Sequence, residues 1–157
     1  MKRPWKCVSV PLRDGMVHWP GDPECQIKRV NKMEDGAVCN LTHLSMSAHT
    51  GTHMDAPRHF IADGKTMEQM PLEAVIGRCK VYDMTAVEDQ ITADDLKKIK
   101  FASGQRVLFK TRNSTRSWAM SEFDKDFISI RADAAQHLVD QKVTTVGVDY
   151  LSIGGYG

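Results

Sequence analysis

The run Arg106-Val107-Leu108-Phe109-Lys110-Thr111 reads as a buried strand, and the elements around it decide the fold class. After it, Ala132 to Gln141 places Ala135, Leu138 and Val139 at helical spacing, and Thr145 to Val148 returns to strand composition. Before it, Ile76 to Met84 reads as a strand. Thr92-Ala93-Asp94-Asp95 resembles a capping box that starts a short helix, with Leu96 and Ile99 on one face. Strand, helix, strand, helix, strand over about seventy residues predicts parallel βα units.

Toward the N-terminus the pattern changes. Lys6 to Leu12 is a short strand candidate ended by the Asp14-Gly15 turn. His18-Trp19-Pro20-Gly21-Asp22-Pro23 cannot be regular structure, because proline and glycine break a ladder there, so it is expected to be an ordered loop. Glu24 to Lys32 and Ala37 to Ser47 flank Asp35-Gly36, a hairpin signal, and predict an antiparallel pair. The expectation is one mixed α/β domain over residues 1–157, without repeats, low-complexity stretches or linkers. Ser152 to Gly157 has loop composition, and the chain reads as missing a C-terminal segment.

Composition narrows the function classes. Twenty-one Lys and Arg against twenty Asp and Glu give a net charge of +1, so a field that would collect nucleic acid is absent. No run of some 18 apolar residues predicts a membrane span, and Met1 to Pro11 lacks the apolar core of a secretory signal. Cys7, Cys25, Cys39 and Cys79 form no CxxC pair. They read as reduced, mostly buried thiols of a cytoplasmic protein.

The chemistry is concentrated in His49-Thr50-Gly51-Thr52-His53-Met54-Asp55-Ala56-Pro57-Arg58-His59, which holds three of the six histidines. Histidine and carboxylate are the usual ligands of zinc and its neighbours. On a helix His49 and His53 would share a face, but Asp55 and His59 would swing roughly 240–280° away, and Pro57 would break it. On an extended chain all four have one parity. His53 and Asp55 would then sit about 6.5–7 Å apart at Cα, a separation one ion can bridge. His49 and His59 need a bend, which Gly51 and Ala56-Pro57 would tolerate. A pH-sensitive loop or an incidental cluster is the bland alternative.

This run resembles, at every fixed position, the His-x-Gly-Thr-His-x-Asp-x-Pro-x-His signature of the metal-dependent cyclase family, which includes kynurenine formamidases and isatin hydrolases. Trp19-Pro20-Gly21-Asp22, Val107 to Thr111 and Val146-Gly147-Val148-Asp149 extend the similarity along most of the chain. The resemblance implies a swivelling β/β/α domain with a mixed, closed β-sheet and flanking helices. It implies His49, His53 and Asp55 as metal ligands, with Asp55 bridging to a second ion in binuclear members. His59 would be the catalytic acid/base beside the metal. A second site would draw on a His and a Glu from a segment beyond the position of Gly157, which this chain is expected to lack. His137 is no substitute, since it falls within the helix read over Ala132 to Gln141.

The implied cofactor is a divalent metal, zinc first and manganese second, as one or two ions. The implied reaction is hydrolysis of an aryl formamide or cyclic amide by a metal-bound hydroxide, with N-formylkynurenine to kynurenine plus formate as the leading assignment. Alternatives are hydrolysis of another lactam or lactone such as isatin, or a non-catalytic metal-binding role. The implied partners are a small amide substrate and further copies of the chain in a homodimer or homotetramer. Trp19 either offers an aromatic face to an aryl substrate or caps the core. His43 is read as structural, and Arg58 as a solvated surface residue. Ser45, Ser47 and Ser103 have no nucleophile-elbow pattern, and Gly154 to Gly157 lack the context of a phosphate loop.

Overall fold

Strand pairing begins with the hairpin that the Asp35-Gly36 signal predicts. A computed structural model describes residues 7–157, and the chain divides after Met54 into two units. In the first unit β1 (Gln26–Asn31) and β2 (Leu41–Ser45) pair antiparallel, with Ile27 opposite Leu44 and Lys28 opposite His43. Their connection is longer than a two-residue turn. Met33–Asp35 form a 3-10 turn, and Gly36 closes it at φ 88°, where a residue without Cβ is least strained. Of the strand predicted over Lys6 to Leu12, Lys6 lies outside the described residues. Cys7 to Leu12 joins no ladder. Its backbone is used otherwise, Val10 N donating to Thr52 Oγ1 at 2.9 Å.

The second unit holds α1 (Leu72–Val75), β3 (Cys79–Asp83), β4 (Gln90–Ile91), α2 (Ala93–Leu96), β5 (Arg106–Lys110), β6 (Ser129–Ile130), α3 (Ala132–Asp140) and β7 (Thr145–Val148). Strands β3, β5 and β7 form a parallel sheet in that order, and β4 pairs parallel with β6. These are the predicted βα units. Alternation along β5 sends Val107 and Phe109 into the core, where they meet Leu96 of α2 and Ala134 and Leu138 of α3. Met84, Ile91, Ile128 and Ile130 complete that cluster. Full burial of each of these side chains larger than alanine contributes roughly 1.5–3 kcal/mol. On the opposite face Val81 is 59% exposed, so the sheet is only partly covered there. Gly147 lies opposite Leu108, and a Cβ there would come within 2.5 Å of Leu108 Cδ2. A larger residue at that crossing would make the Leu108 side-chain tip turn aside.

Helix α2 starts as its sequence predicts. Thr92 N donates to Asp95 Oδ2 at 2.8 Å, while Asp95 N donates to Thr92 Oγ1 at 3.4 Å. Beyond β7, Asp149 ties two strand ends together. Its carboxylate accepts from Thr111 N at 2.8 Å, Thr111 Oγ1 at 2.7 Å and Ser114 N at 3.1 Å, and also from the Ser114 hydroxyl. Trp118 Nε1 donates to the Asp149 carbonyl at 2.9 Å.

Two expectations are corrected. The α/β class, with both antiparallel and parallel pairing and flanking helices, is present, but the sheet is not closed. Among the described residues the strands form three sheets of two, three and two strands. Edge strands β3 and β7 each pair with β5 alone, and small filled barrels need about eight strands. The arrangement is an open one, not a closed swivelling β/β/α domain. The second correction concerns the cysteines. All four are unpaired, but only Cys25 is buried, while Cys7, Cys39 and Cys79 are exposed.

Candidate metal centre

The His49–His59 run follows β2 and bends where its composition allows. Gly51 adopts φ 65°, and a Cβ there would meet Val10 Cγ2 at 3.2 Å and Leu12 Cδ2 at 3.3 Å. Both the left-handed backbone and the close packing therefore favour glycine. Ala56 is extended at φ −81° and ψ 158°, and Pro57 opens a 3-10 turn over Pro57–His59. Proline suits that first position because its missing N–H is not needed there. An extended stretch between two bends is what the parity of the ligand-type residues requires.

Within this run, one ligand atom each of His49, Asp55 and His59 lie within 4.8 Å of one another. His49 is half-buried, and Asp55 and His59 are exposed. Two donors held about 2.0–2.2 Å from one ion stand at most about 4.4 Å apart, so small side-chain adjustments suffice to seat a cation. Two imidazoles and a carboxylate are a donor set suited to zinc, with manganese also accommodated. The residues fit the ion. Among the described residues this is the one such group.

His53 lies beside the group and outside it. Its ring centroid is 5.1 Å from that of His49, with the rings at 82°. Two imidazoles sharing one ion at a tetrahedral angle have centroids about 5 Å apart, so this spacing suits joint ligation. His53 Nδ1 lies 3.0 Å from the Gly51 carbonyl. A carbonyl only accepts, so Nδ1 carries the proton and Nε2 the lone pair. Metal-binding histidines are commonly oriented this way. His59 packs its ring 4.2 Å from that of Phe60.

Trp19 is half-buried in the early loop. Asp22 N donates to its carbonyl at 3.0 Å, closing a turn around Pro20-Gly21. The same loop bears on the ligand run through Ser47, which donates to Asp22 Oδ2 at 2.8 Å and accepts from His49 N at 3.1 Å. Ser47 carries no nucleophile pattern in the sequence. The available signal was its place two residues before His49, the spacing at which a serine oxygen caps a backbone N–H.

The family model described as "Putative cyclase" matches residues 8–154, nearly the whole described chain and the entire ligand run. This chain belongs to the cyclase family of metal-dependent hydrolases. A kynurenine formamidase of Erythrobacter litoralis (strain HTCC2594) is 36% identical over 152 residues, covering 97% of this chain and 68% of that protein. A kynurenine formamidase of Bacillus anthracis is 31% identical over 149 residues, covering 95% and 69%. Among solved structures, a potential metal-dependent hydrolase with cyclase activity superposes with a TM-score of 0.77 at 39% identity, covering 94% of this chain and 68% of that one. A predicted metal-dependent hydrolase from Bacillus stearothermophilus gives 0.75 at 35% identity, covering 94% and 69%. Among the described residues of this cyclase-family hydrolase, the one candidate metal site lies in the His49–His59 run.

Proposed function

We propose that this cyclase-family chain hydrolyses an aryl formamide, with N-formylkynurenine as substrate and kynurenine and formate as products. The observation that carries the reading is the gathering of His49, Asp55 and His59 in one bent run. The kinship with two kynurenine formamidases supports the choice of substrate.

In this reading His49, His53 and Asp55 hold a divalent ion, zinc first, and His59 is the acid/base beside it. A bound divalent cation supplies an activated water at neutral pH and polarises the substrate carbonyl. Asp55 offsets part of the cationic charge with its carboxylate. His59, as neutral imidazole, takes a proton at a ring nitrogen from the attacking water and returns it to the leaving nitrogen. The water oxygen bonds to the formyl carbon as the C–N bond breaks, so formate and an aryl amine leave with atoms balanced. Trp19 offers its ring face to the aryl part of the substrate.

The test is formate release from N-formylkynurenine by the purified chain loaded with zinc or manganese, run beside ring opening of isatin. Turnover of the formamide in preference to the lactam is expected. A chain that holds stoichiometric metal yet releases no formate contradicts the proposal, whether or not it opens the lactam.

A further inference from the structure

Ser47 stands at the junction of two hydrogen bonds whose directions are chemically determined. Its hydroxyl has one proton and two lone pairs. The proton goes to Asp22 Oδ2 at 2.8 Å, because a carboxylate oxygen can only accept. That donation fixes the hydroxyl rotor and turns a lone pair to the His49 backbone N–H, 3.1 Å away. Asp22 is held in turn. Its N–H closes the Trp19–Asp22 turn, in which Pro20 and Gly21 occupy the central positions and Gly21 lies at φ 94°. Proline followed by a glycine of positive φ is the signature of a type II turn, a stiff support.

The other side of His49 is secured as well. Thr50 N donates to the Ser47 carbonyl at 3.1 Å, so serine grips the backbone on both flanks of the histidine. Asp22, Ser47 and His49 are all half-buried, which weakens the competition from water for these bonds.

We infer that Asp22 and Ser47 are positioning residues for the metal centre. The Asp22 carboxylate sets the Ser47 hydroxyl, and Ser47 sets the backbone from which the His49 imidazole reaches the ion. Neither residue touches the ion. Their effect is preorganisation: the first ligand is placed before the cation arrives, so less conformational freedom is lost on binding. The inference rests on the reading of the His49–His59 run as a metal centre.

The test measures zinc(II) affinity of the full chain by competition with a chromophoric chelator, with metal-free Tm and the cobalt(II) absorption spectrum alongside. Ser47→Ala is expected to weaken zinc binding about tenfold and to shift the cobalt bands. Ser47→Thr, which keeps the hydroxyl, should restore affinity to within about twofold. Asp22→Ala should reproduce the loss, and the double variant should lose no more than either single one, because both act along one path. Should Ser47→Ala fail to fold, Asp22→Ala and Ser47→Thr carry the comparison. Unchanged zinc affinity in Asp22→Ala or Ser47→Ala overturns the inference, even if metal-free Tm falls, as does a double-variant loss equal to the product of the single losses. A wild-type chain that takes up no zinc is a different failure, and removes the metal-centre reading itself.

Discussion

At His53 and His59 two similar side chains carry different assignments. The Gly51 carbonyl fixes the His53 tautomer, and the ring spacing to His49 suits shared ligation. His59 sits at ligand distance in the gathered group but is assigned to proton transfer. The assignment predicts that His53→Ala weakens zinc binding at least about 100-fold, while His59→Gln keeps zinc within about tenfold and lowers kcat by about 10²–10⁴. Chelator competition and steady-state kinetics check both, and the reverse pattern makes His59 the ligand. Thr50 provides a stability prediction. It is buried, and its Oγ1 lacks a hydrogen-bond partner. Thr50→Val keeps the shape and removes an unsatisfied buried hydroxyl, so Tm should hold or rise, a gain of up to about 1–2 kcal/mol. A loss above about 1 kcal/mol would show that the hydroxyl is satisfied in solution.

Among the elements, the bend at Gly51 and the start of α2 give the clearest expectations. Gly51→Ala must place a Cβ at positive φ against Val10 and Leu12, costing about 1–3 kcal/mol and weakening metal binding with it. Denaturant unfolding and zinc titration of that variant test the link between backbone and site. In the capping box, hydrogen bonds from the Thr92 hydroxyl and backbone hold the Asp95 carboxyl below the usual carboxylate range. Its folded pKa is depressed, so its contribution is present above the unfolded value of about 3.9 and is lost as pH falls through the folded value. Asp95→Ala should therefore lower Tm at neutral pH, and the gap to wild type should shrink on acidification below about pH 4. A gap independent of pH contradicts the capping role.

The elements legible in the sequence were those long enough to show a period or a strong turn signal. β5, α3, β7 and the β1–β2 pair are of this kind. β4 and β6, of two residues each, are too short for any period and are set by tertiary pairing. Cys7 to Leu12 has strand composition but joins no ladder, and Val10 N donates to Thr52 of the ligand run instead. Parity and two bends bring His49, Asp55 and His59 together, whereas His53, which the same parity places with them, lies outside that group. For Ser47 only its place two residues before His49 is a local signal, since its partner Asp22, twenty-five residues away, leaves none.

At the scale of the whole molecule, sheet closure was the expectation that failed. Closure depends on how strands from distant parts of the chain pair, and among the described residues the pairing stops at β3 and β7. The first unit leaves Val30, Met33, Val38, Leu41 and Leu44 exposed, Val38 at 98%. Apolar exposure of this kind supports self-association. Light scattering on the eluting protein is expected to give a dimer or tetramer mass, and a monomer at micromolar concentration would contradict it. The same scale holds the central claim, that a bent run of eleven residues gathers a single divalent ion. Its most direct test is elemental analysis after equilibrium dialysis of the wild-type chain and His49→Ala against zinc. About one zinc per wild-type chain and almost none in the variant is the predicted result. A wild-type chain without zinc, or a variant that retains it stoichiometrically, would contradict the account.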